Sequence, residues 1–354
     1  MPDSSALVDR LGRAAVTALG RAPTRLQRLI AGPVPTTGGV PLEPEVAAAL
    51  RLLSLVPGSS FEDLPLPDAR AQVDREAAMF GGPPLPMHEV RRVRIPSEAG
   101  GMDARLYRAA ARDADRLLVY FHGGGWVVGS LDSADSACRF LARHAGVSVL
   151  SVAYRLAPED PFPAAPDDAL TAFRFAVAQA DAWGHDPVRV AVGGDSAGGN
   201  LAAVLCHDLR HSDEQQPAFQ LLFFPVTDLS AKHPSYREFA KGFFLTERQM
   251  DWYRKHYLGD QPATHPRVSP LLVDDLSGLP PAYVAVSGFD VLRDEGEAYA
   301  RRLAQAGTLV ALRRHDGLVH AFVNATGVGT TGREAMREAC GALRAGVGAG
   351  AAAP

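Results

Sequence analysis

Short runs of apolar residues recur along the chain from residue 116 onward, separated by longer segments in which apolar positions follow a helical spacing. The short runs are rich in β-branched and aromatic residues, which predicts buried strands. These strands are predicted at 116–121, 147–152, 188–193, 219–224, 282–287 and 310–314. The intervening helices are predicted at 132–145, 164–182, 197–210 and 295–306. Strands that alternate with helices indicate an α/β fold with a mostly parallel central sheet and helices on both faces.

Three segments depart from this alternation. Residues 89–95 and 102–108 are predicted to form an antiparallel pair of strands. Residues 1–86 are helical and rich in proline, and residues 230–265 interrupt the core and concentrate aromatic residues. We expect both of these regions to form a helical cap over the functional site, where a lid excludes water. The aromatic residues could equally form the cap's own core.

The pattern divides the chain into five parts. An N-terminal extension with cap helices covers 1–86, and the first part of the α/β core covers 87–229. A cap insertion follows at 230–265, and the second part of the core covers 266–345. Residues 346–354 contain only Gly, Ala, Val and Pro, which predicts a disordered tail.

The segment Gly194-Asp195-Ser196-Ala197-Gly198 lies between a predicted strand and a predicted helix. A G-x-S-x-G sequence in this position is the pattern of a nucleophile elbow, in which a sharp turn exposes the serine. The flanking Gly194 and Gly198 keep such a turn clear of side chains. Ser196 is therefore the candidate nucleophile, close to the positive end of the helix dipole.

A second glycine-rich segment, His122-Gly123-Gly124-Gly125-Trp126, directly follows the predicted strand at 116–121. Acyl transfer needs backbone amides directed at the developing oxyanion, and glycine lets the main chain approach a ligand closely. We expect Gly124, Gly125 and Ala197 to supply the amides of an oxyanion hole. His122 and Gly123 are expected to support the loop, because His122 is better suited to brace it by hydrogen bonding than to act as a base.

A serine nucleophile also needs a base and an acid, which follow it in the order Asp or Glu, then His. Asp290 stands at the end of the strand predicted at 282–287, and His320 lies in a loop after the strand predicted at 310–314. The predicted triad is therefore Ser196, Asp290 and His320.

Three residues compete for these roles. Asp294 and Glu295 lie near Asp290, but they fall at the start of a predicted helix, where acidic residues suit the helix dipole. His315 competes with His320, but it immediately follows the strand and could be a solvated loop residue.

These motifs together resemble the hormone-sensitive-lipase branch of the α/β-hydrolases, of the bacterial carboxylesterase type, over roughly residues 43–345. Further motifs carry the resemblance: Tyr154-Arg155-Leu156-Ala157-Pro158-Glu159, Ser269-Pro270-Leu271, Leu292-Arg293-Asp294-Glu295-Gly296 and Gly317-Leu318-Val319-His320. The resemblance implies an α/β-hydrolase fold, catalytic Ser196, Asp290 and His320, and an oxyanion hole formed by the glycine loop with Ala197. Val291 stands where the family usually has proline, and His315 where an aromatic residue is common.

Composition bears on the possible partners, the cellular compartment and the need for a metal or cofactor. The net charge of −4 gives no attraction to nucleic acid. Three widely spaced cysteines, Cys138, Cys206 and Cys340, argue for a reducing compartment, so we expect a cytoplasmic protein. No Cys/His spacing typical of a metal site occurs, and no cofactor is expected.

No apolar run in the sequence is long enough to span a bilayer. The first 30 residues are mildly basic and could form an amphipathic helix, which could touch lipid but is better explained by packing on the protein. The last predicted strand could be a sheet edge that pairs with a second copy in a homodimer.

The sequence thus predicts a serine carboxylesterase that acts on short- to medium-chain acyl esters as small-molecule substrates. An amidase or formamidase could use the same triad, because one fold hosts several chemistries. A small-molecule receptor is a third alternative, since plant gibberellin receptors resemble this branch but lack the catalytic histidine; the presence of His320 argues against it.

Overall fold

The computed structural model describes residues 4–55, 60–98, 100–111 and 115–349. Within them, an eight-stranded sheet forms the centre of the molecule, and its strands run in the spatial order β10-β9-β8-β7-β5-β6-β4-β3. These strands are β3 (Glu89–Ile95), β4 (Met102–Arg108), β5 (Leu117–Phe121), β6 (Ser148–Val152), β7 (Val190–Asp195), β8 (Gln220–Phe223), β9 (Ala282–Phe289) and β10 (Val310–Val319). A separate hairpin consists of β1 (Thr36–Thr37) and β2 (Val40–Pro41).

The sheet is mostly parallel, as the sequence predicts. Only β4 pairs antiparallel with its two neighbours, β3 and β6. The pairs β5–β6, β5–β7, β7–β8, β8–β9 and β9–β10 are all parallel. The antiparallel bounds 89–95 and 102–108 agree with the prediction residue for residue.

Helices cover both faces of the sheet. The helices are α1 (Ser4–Arg21), α2 (Thr24–Ala31), α3 (Pro44–Leu53), α4 (Leu66–Gly81), α5 (Asp135–Ala145), α6 (Ala164–Gln179), α7 (Ala197–Leu209), α8 (Pro234–Glu238), α9 (Glu247–Leu258), α10 (Arg293–Gln305) and α11 (Thr331–Ala349). Alternate residues of β5 pack into different layers: Leu117, Val119 and Phe121 join the layer with α6, α7 and α10, whereas Leu118 and Tyr120 join α5 and α11. Burial on both faces explains why the strand is continuously apolar.

The last strand extends further than its sequence suggests. β10 continues to Val319, so His315 lies within the strand and not in a loop after it. His315 pairs with Ser287 in the register of β9, and its ring meets Phe322 edge-on at 5.4 Å. Pairing with a buried neighbour therefore overrides the polar, glycine-containing sequence at 315–317.

The C-terminal helix also extends further than predicted. α11 reaches Ala349, so the predicted disordered tail is wrong for 346–349, while 350–354 lie outside the described residues. Val347 is fully buried, and any side chain at Gly346 would collide with the ring of Phe219. The small residues that suggest low complexity thus let the helix pack closely.

No described helix has the length and apolar character needed to cross a bilayer.

Candidate active site

Ser196 lies in the tight turn between β7 and α7. Its backbone has φ 56° and ψ −117°, a conformation that costs a non-glycine residue on the order of 1–3 kcal/mol. The turn is held by the Ser196 amide, which donates to the Phe223 carbonyl at 2.9 Å, and by its carbonyl, which accepts from Asn200 N at 3.0 Å. A side chain at Gly194 or Gly198 would collide with the Phe121 carbonyl. The elbow therefore requires both glycines that flank the serine.

Asp290 and His320 follow the carboxyl ends of two neighbouring strands, β9 and β10. His320 Nδ1 lies 2.8 Å from Asp290 Oδ2. Asp290 is fully buried, and its other carboxylate oxygen accepts from the Leu292 amide at 3.0 Å. The His320 ring also packs on Phe224, at a centroid distance of 4.3 Å. These contacts fix the carboxylate and orient the imidazole.

Ser196 and His320 line the same cavity. The hydrogen bonds among the described residues join His320 to Asp290 but do not join the Ser196 hydroxyl to His320. Catalytic hydrogen bonds in a free enzyme are often long and tighten when substrate binds. The candidate nucleophile and the candidate base thus line one site.

The glycine loop after β5 adopts backbone conformations that favour glycine. Gly124 has φ 113° and Gly125 has φ 58°. A side chain at Gly124 would collide with the Val128 carbonyl, and one at Gly125 would collide with the Tyr253 ring. None of the backbone hydrogen bonds recorded for the described residues uses the amides of Gly124, Gly125 or Ala197. These amides are therefore available to an oxyanion.

His122 is held as a brace of this loop. Its Nδ1 lies 2.7 Å from the Gly123 carbonyl, and its ring stacks on Tyr154 at 4.4 Å. The Tyr154 hydroxyl donates to the His122 carbonyl at 2.7 Å. Burial lowers the pKa of His122 to about 4, so the ring is neutral at pH 7.

The competing acids are occupied elsewhere. Asp294 accepts from the Ser235 amide at 2.9 Å and pairs with Arg293. Glu295 is fully buried and accepts from the amides of Thr227 and Asp228 at 2.8 and 3.2 Å, while burial raises its pKa well above the usual range. Neither residue bonds to His320.

The sequence argument missed one residue of the site. Asp195, the residue before the nucleophile, is buried, and its Oδ1 accepts from the Tyr120 hydroxyl at 2.7 Å and from the Gly123 amide at 3.1 Å. It therefore connects the elbow to the glycine loop 122–126, the candidate oxyanion loop. Burial raises the pKa of Asp195. A charged residue at the end of a strand that is otherwise apolar is the signal that could have identified it.

A cavity of about 970 Å³ opens above Ser196. Part of its lining comes from α3, α4 and the segment 242–253, and the lining as a whole is mainly apolar. Among the aromatic residues of the insertion, Phe244 and Tyr253 line the cavity. Tyr257 instead stacks on Trp126 at 4.1 Å, so part of the aromatic set packs against the α/β core.

No group of three or more potential metal-binding side chains occurs among the residues that the structure describes.

Known proteins resemble this chain in sequence and in structure. A family model described as alpha/beta hydrolase fold matches residues 118–324. The carboxylic ester hydrolase LipN of Mycobacterium tuberculosis is 46% identical over 284 residues, which cover 78% of this chain and 75% of that protein. An ethyl acetate hydrolase of Pseudomonas putida is 40% identical over 294 residues, covering 80% of this chain and 92% of that protein.

Ester hydrolases are also found among the solved structures that this chain resembles. An ester hydrolase from the metagenome of Lake Arreo, complexed with a derivative of bipyridine phosphonate, has a TM-score of 0.82 and 40% sequence identity, covering 87% of this chain and 99% of that one. EstE1, a thermostable carboxylesterase cloned from a metagenomic library, has a TM-score of 0.77 and 38% identity, covering 80% of this chain and 98% of that one.

Proposed function

This chain belongs to the alpha/beta hydrolase fold family and is an ester hydrolase, and we propose that it cleaves short- to medium-chain acyl esters through an acyl-enzyme on Ser196. The contact that carries the proposal is the 2.8 Å hydrogen bond between Asp290 and His320, at the wall of the cavity that Ser196 also lines. The name of the Pseudomonas putida relative, ethyl acetate hydrolase, supports a small ester as substrate.

The proposed reaction begins when the Ser196 hydroxyl attacks the ester carbonyl and His320 Nε2 accepts its proton. Asp290 holds His320 in the required tautomer and stabilises the imidazolium. The amides of Gly124, Gly125 and Ala197 stabilise the oxyanion of the tetrahedral intermediate. His320 then protonates the departing alcohol, and water repeats the sequence to release the acid from Ser196.

The capping function of residues 1–86 and 230–265 belongs to the same proposal. It is supported by the side chains of α3, α4 and α9 that line the cavity together with Ser196. A cavity of about 970 Å³ has the size of a site for small molecules, which supports short to medium acyl chains.

The proposal extends to three properties of the enzyme in solution. β10 ends the sheet, and its edge could pair with a second copy in a homodimer. Exposed Leu29 on α2, next to the exposed Arg25 and Arg28, supports peripheral contact with lipid. The three cysteines are free and buried, which supports a cytoplasmic location.

The test compares the wild type with Ser196→Ala on p-nitrophenyl esters and on the matching anilides. We expect the wild type to hydrolyse the esters faster than the anilides, and the variant to lose this turnover. A Ser196→Ala protein as active as the wild type would refute the assignment of the nucleophile. A preference for anilides would indicate an amidase.

A further inference from the structure

Apart from Asp195, which also lines the cavity, three carboxylates matter here: Glu45 and Glu76 line it, and Glu62 contacts Gln249 of its wall. Glu45 accepts from the amides of Thr330 and Thr331 at 2.8–2.9 Å, at the start of α11. Glu62 accepts from the Gln249 side chain at 3.2 Å and lies 3.7 Å from Arg248 Nη1. The carboxylates of Glu45 and Glu62 are therefore already bound by donors of the protein itself.

The third carboxylate, Glu76, has a hydrogen-bond partner only on its own helix among the described residues. It is half-buried on α4 and lines the cavity, and its Oε1 accepts from Gln72 Nε2 at 2.8 Å. Among the described residues, no basic side chain forms an ion pair with it. Burial raises the pKa of Glu76, and Gln72 and the charge of Arg75 oppose that rise. A half-buried carboxylate in this state is stabilised by any ligand group that donates a hydrogen bond and carries positive charge.

Helix α4 is anchored by contacts of two residues that precede Glu76, Arg70 and Asp74. Arg70 Nε donates to the Val127 carbonyl at 2.9 Å, and the Ser130 hydroxyl donates to Asp74 at 2.6 Å. Val127 and Ser130 directly follow the oxyanion loop in the chain. The position of Glu76 relative to that loop is thus fixed by contacts on the preceding turns of its own helix.

Tyr253 lines the cavity together with Glu76 and the glycine loop. Its ring packs on Gly125 so closely that a side chain there would collide with it. Burial raises the pKa of Tyr253, and the nearby charges of Glu62 and Glu76 add to that rise. Glu76 therefore lines the same cavity as Ser196 and the glycine loop that Tyr253 covers.

We propose, building on the esterase function above, that Glu76 makes the cavity selective for esters that carry a protonated amine. The ammonium group would form a charge-assisted hydrogen bond with the Glu76 carboxylate while the ester carbonyl lies at Ser196. A hydrogen bond to a charged group in a partly desolvated site raises kcat/KM for such an ester by roughly ten- to a hundred-fold over a neutral ester of equal length.

The experiment measures kcat/KM for pairs of esters that differ only in a terminal ammonium or methyl group, with spacers of increasing length. One series carries the group on the acyl chain and the other on the alcohol. Each pair is assayed with the wild type, Glu76→Gln and the neighbouring control Arg75→Gln. Because each result is a ratio within one preparation, it does not depend on the active fraction.

We expect the wild type to prefer the ammonium ester in at least one series, Glu76→Gln to lose most of that preference, and Arg75→Gln to keep or strengthen it. Equal rates for both members of every pair, or a preference that survives Glu76→Gln, would overturn the role of Glu76. Those results leave neutral esters hydrolysed, whereas a wild type that turns over neither member would count against the esterase function itself.

A measurement on the wild type alone avoids dependence on folding of the variant. Hexylammonium and hexanol are compared as competitive inhibitors of neutral-ester hydrolysis. Stronger inhibition by hexylammonium supports the proposal, and equal inhibition by the two compounds contradicts it.

Discussion

Acidification should destabilise this protein through two neutral histidines, the buried His122 and the half-buried His207, and only one of them should affect the active site. Burial lowers the pKa of His122 and of His207 to about 4. His122 braces the oxyanion loop, whereas His207 lies on α7 with its Nε2 2.9 Å from the Tyr299 hydroxyl. The two groups share a burial-driven pKa shift but differ in position, so each is a control for the other.

The sign follows from proton uptake. Histidines of the unfolded chain bind protons below about pH 6.5, whereas His122 and His207 of the folded protein bind them only near pH 4. With respect to these two histidines, the folded protein therefore keeps its full stability above pH 6.5 and loses part of it as the pH falls towards 4. For one such histidine, the loss between pH 7 and pH 5 is about 2 kcal/mol.

The assay is urea unfolding at pH 7 and pH 5, together with ester hydrolysis over the same range. His122→Asn keeps a donor near the position of Nδ1, and His207→Gln keeps a donor near the position of Nε2, so each removes a titration with little change of shape. We expect each variant to show a decline in unfolding free energy about 2 kcal/mol smaller than that of the wild type. Only His122→Asn should also change kcat.

The reasoning would be refuted if the wild type and both variants lost the same stability between pH 7 and pH 5. Buried acids with raised pKa values, such as Glu295 and Asp195, have the opposite effect, because their protonation stabilises the folded protein as the pH falls. The difference between variants is therefore the informative quantity, because these acids are common to all three proteins.

Two further predictions concern the oxyanion loop. Asp195→Ala removes the acceptor for both Tyr120 and Gly123, so the loop should be displaced and kcat should fall by roughly a hundredfold or more. Asp195→Asn can keep an acceptor oxygen and should lose less activity, and equal kcat for the two variants would contradict the anchoring role. Gly125→Ala places a methyl group against the Tyr253 ring at φ 58°, so kcat should fall, and Tyr253→Ala should restore part of it in the double variant; independent effects would show that this contact does not matter.

The sequence predicts the sheet and the ester hydrolase class well for a local reason. Strand β5 is apolar on both faces, and the turns after β5 and β7 need glycine at positions where any Cβ would collide with backbone. Fully buried strands and glycine-dependent turns leave strong local signals, so Ser196 and the glycine loop could be identified without tertiary information.

The remaining features depend on contacts between distant parts of the chain. His315 becomes a strand residue because it pairs with Ser287 of β9. The role of Asp195 needs Tyr120 and Gly123 to be close to it in space. Likewise, the sequence could not separate Tyr253, which lines the cavity, from Tyr257, which packs on Trp126, because both lie on one aromatic helix.

The central claim is that Ser196 becomes a nucleophile because His320 and Asp290 act on it. Labelling with a fluorophosphonate, followed by mass spectrometry of the peptides, tests it most directly. The account predicts one adduct, on Ser196, that forms rapidly in the wild type and at least a hundredfold more slowly in His320→Ala. An adduct on another residue, or labelling of Ser196 at the same rate without His320, would contradict it.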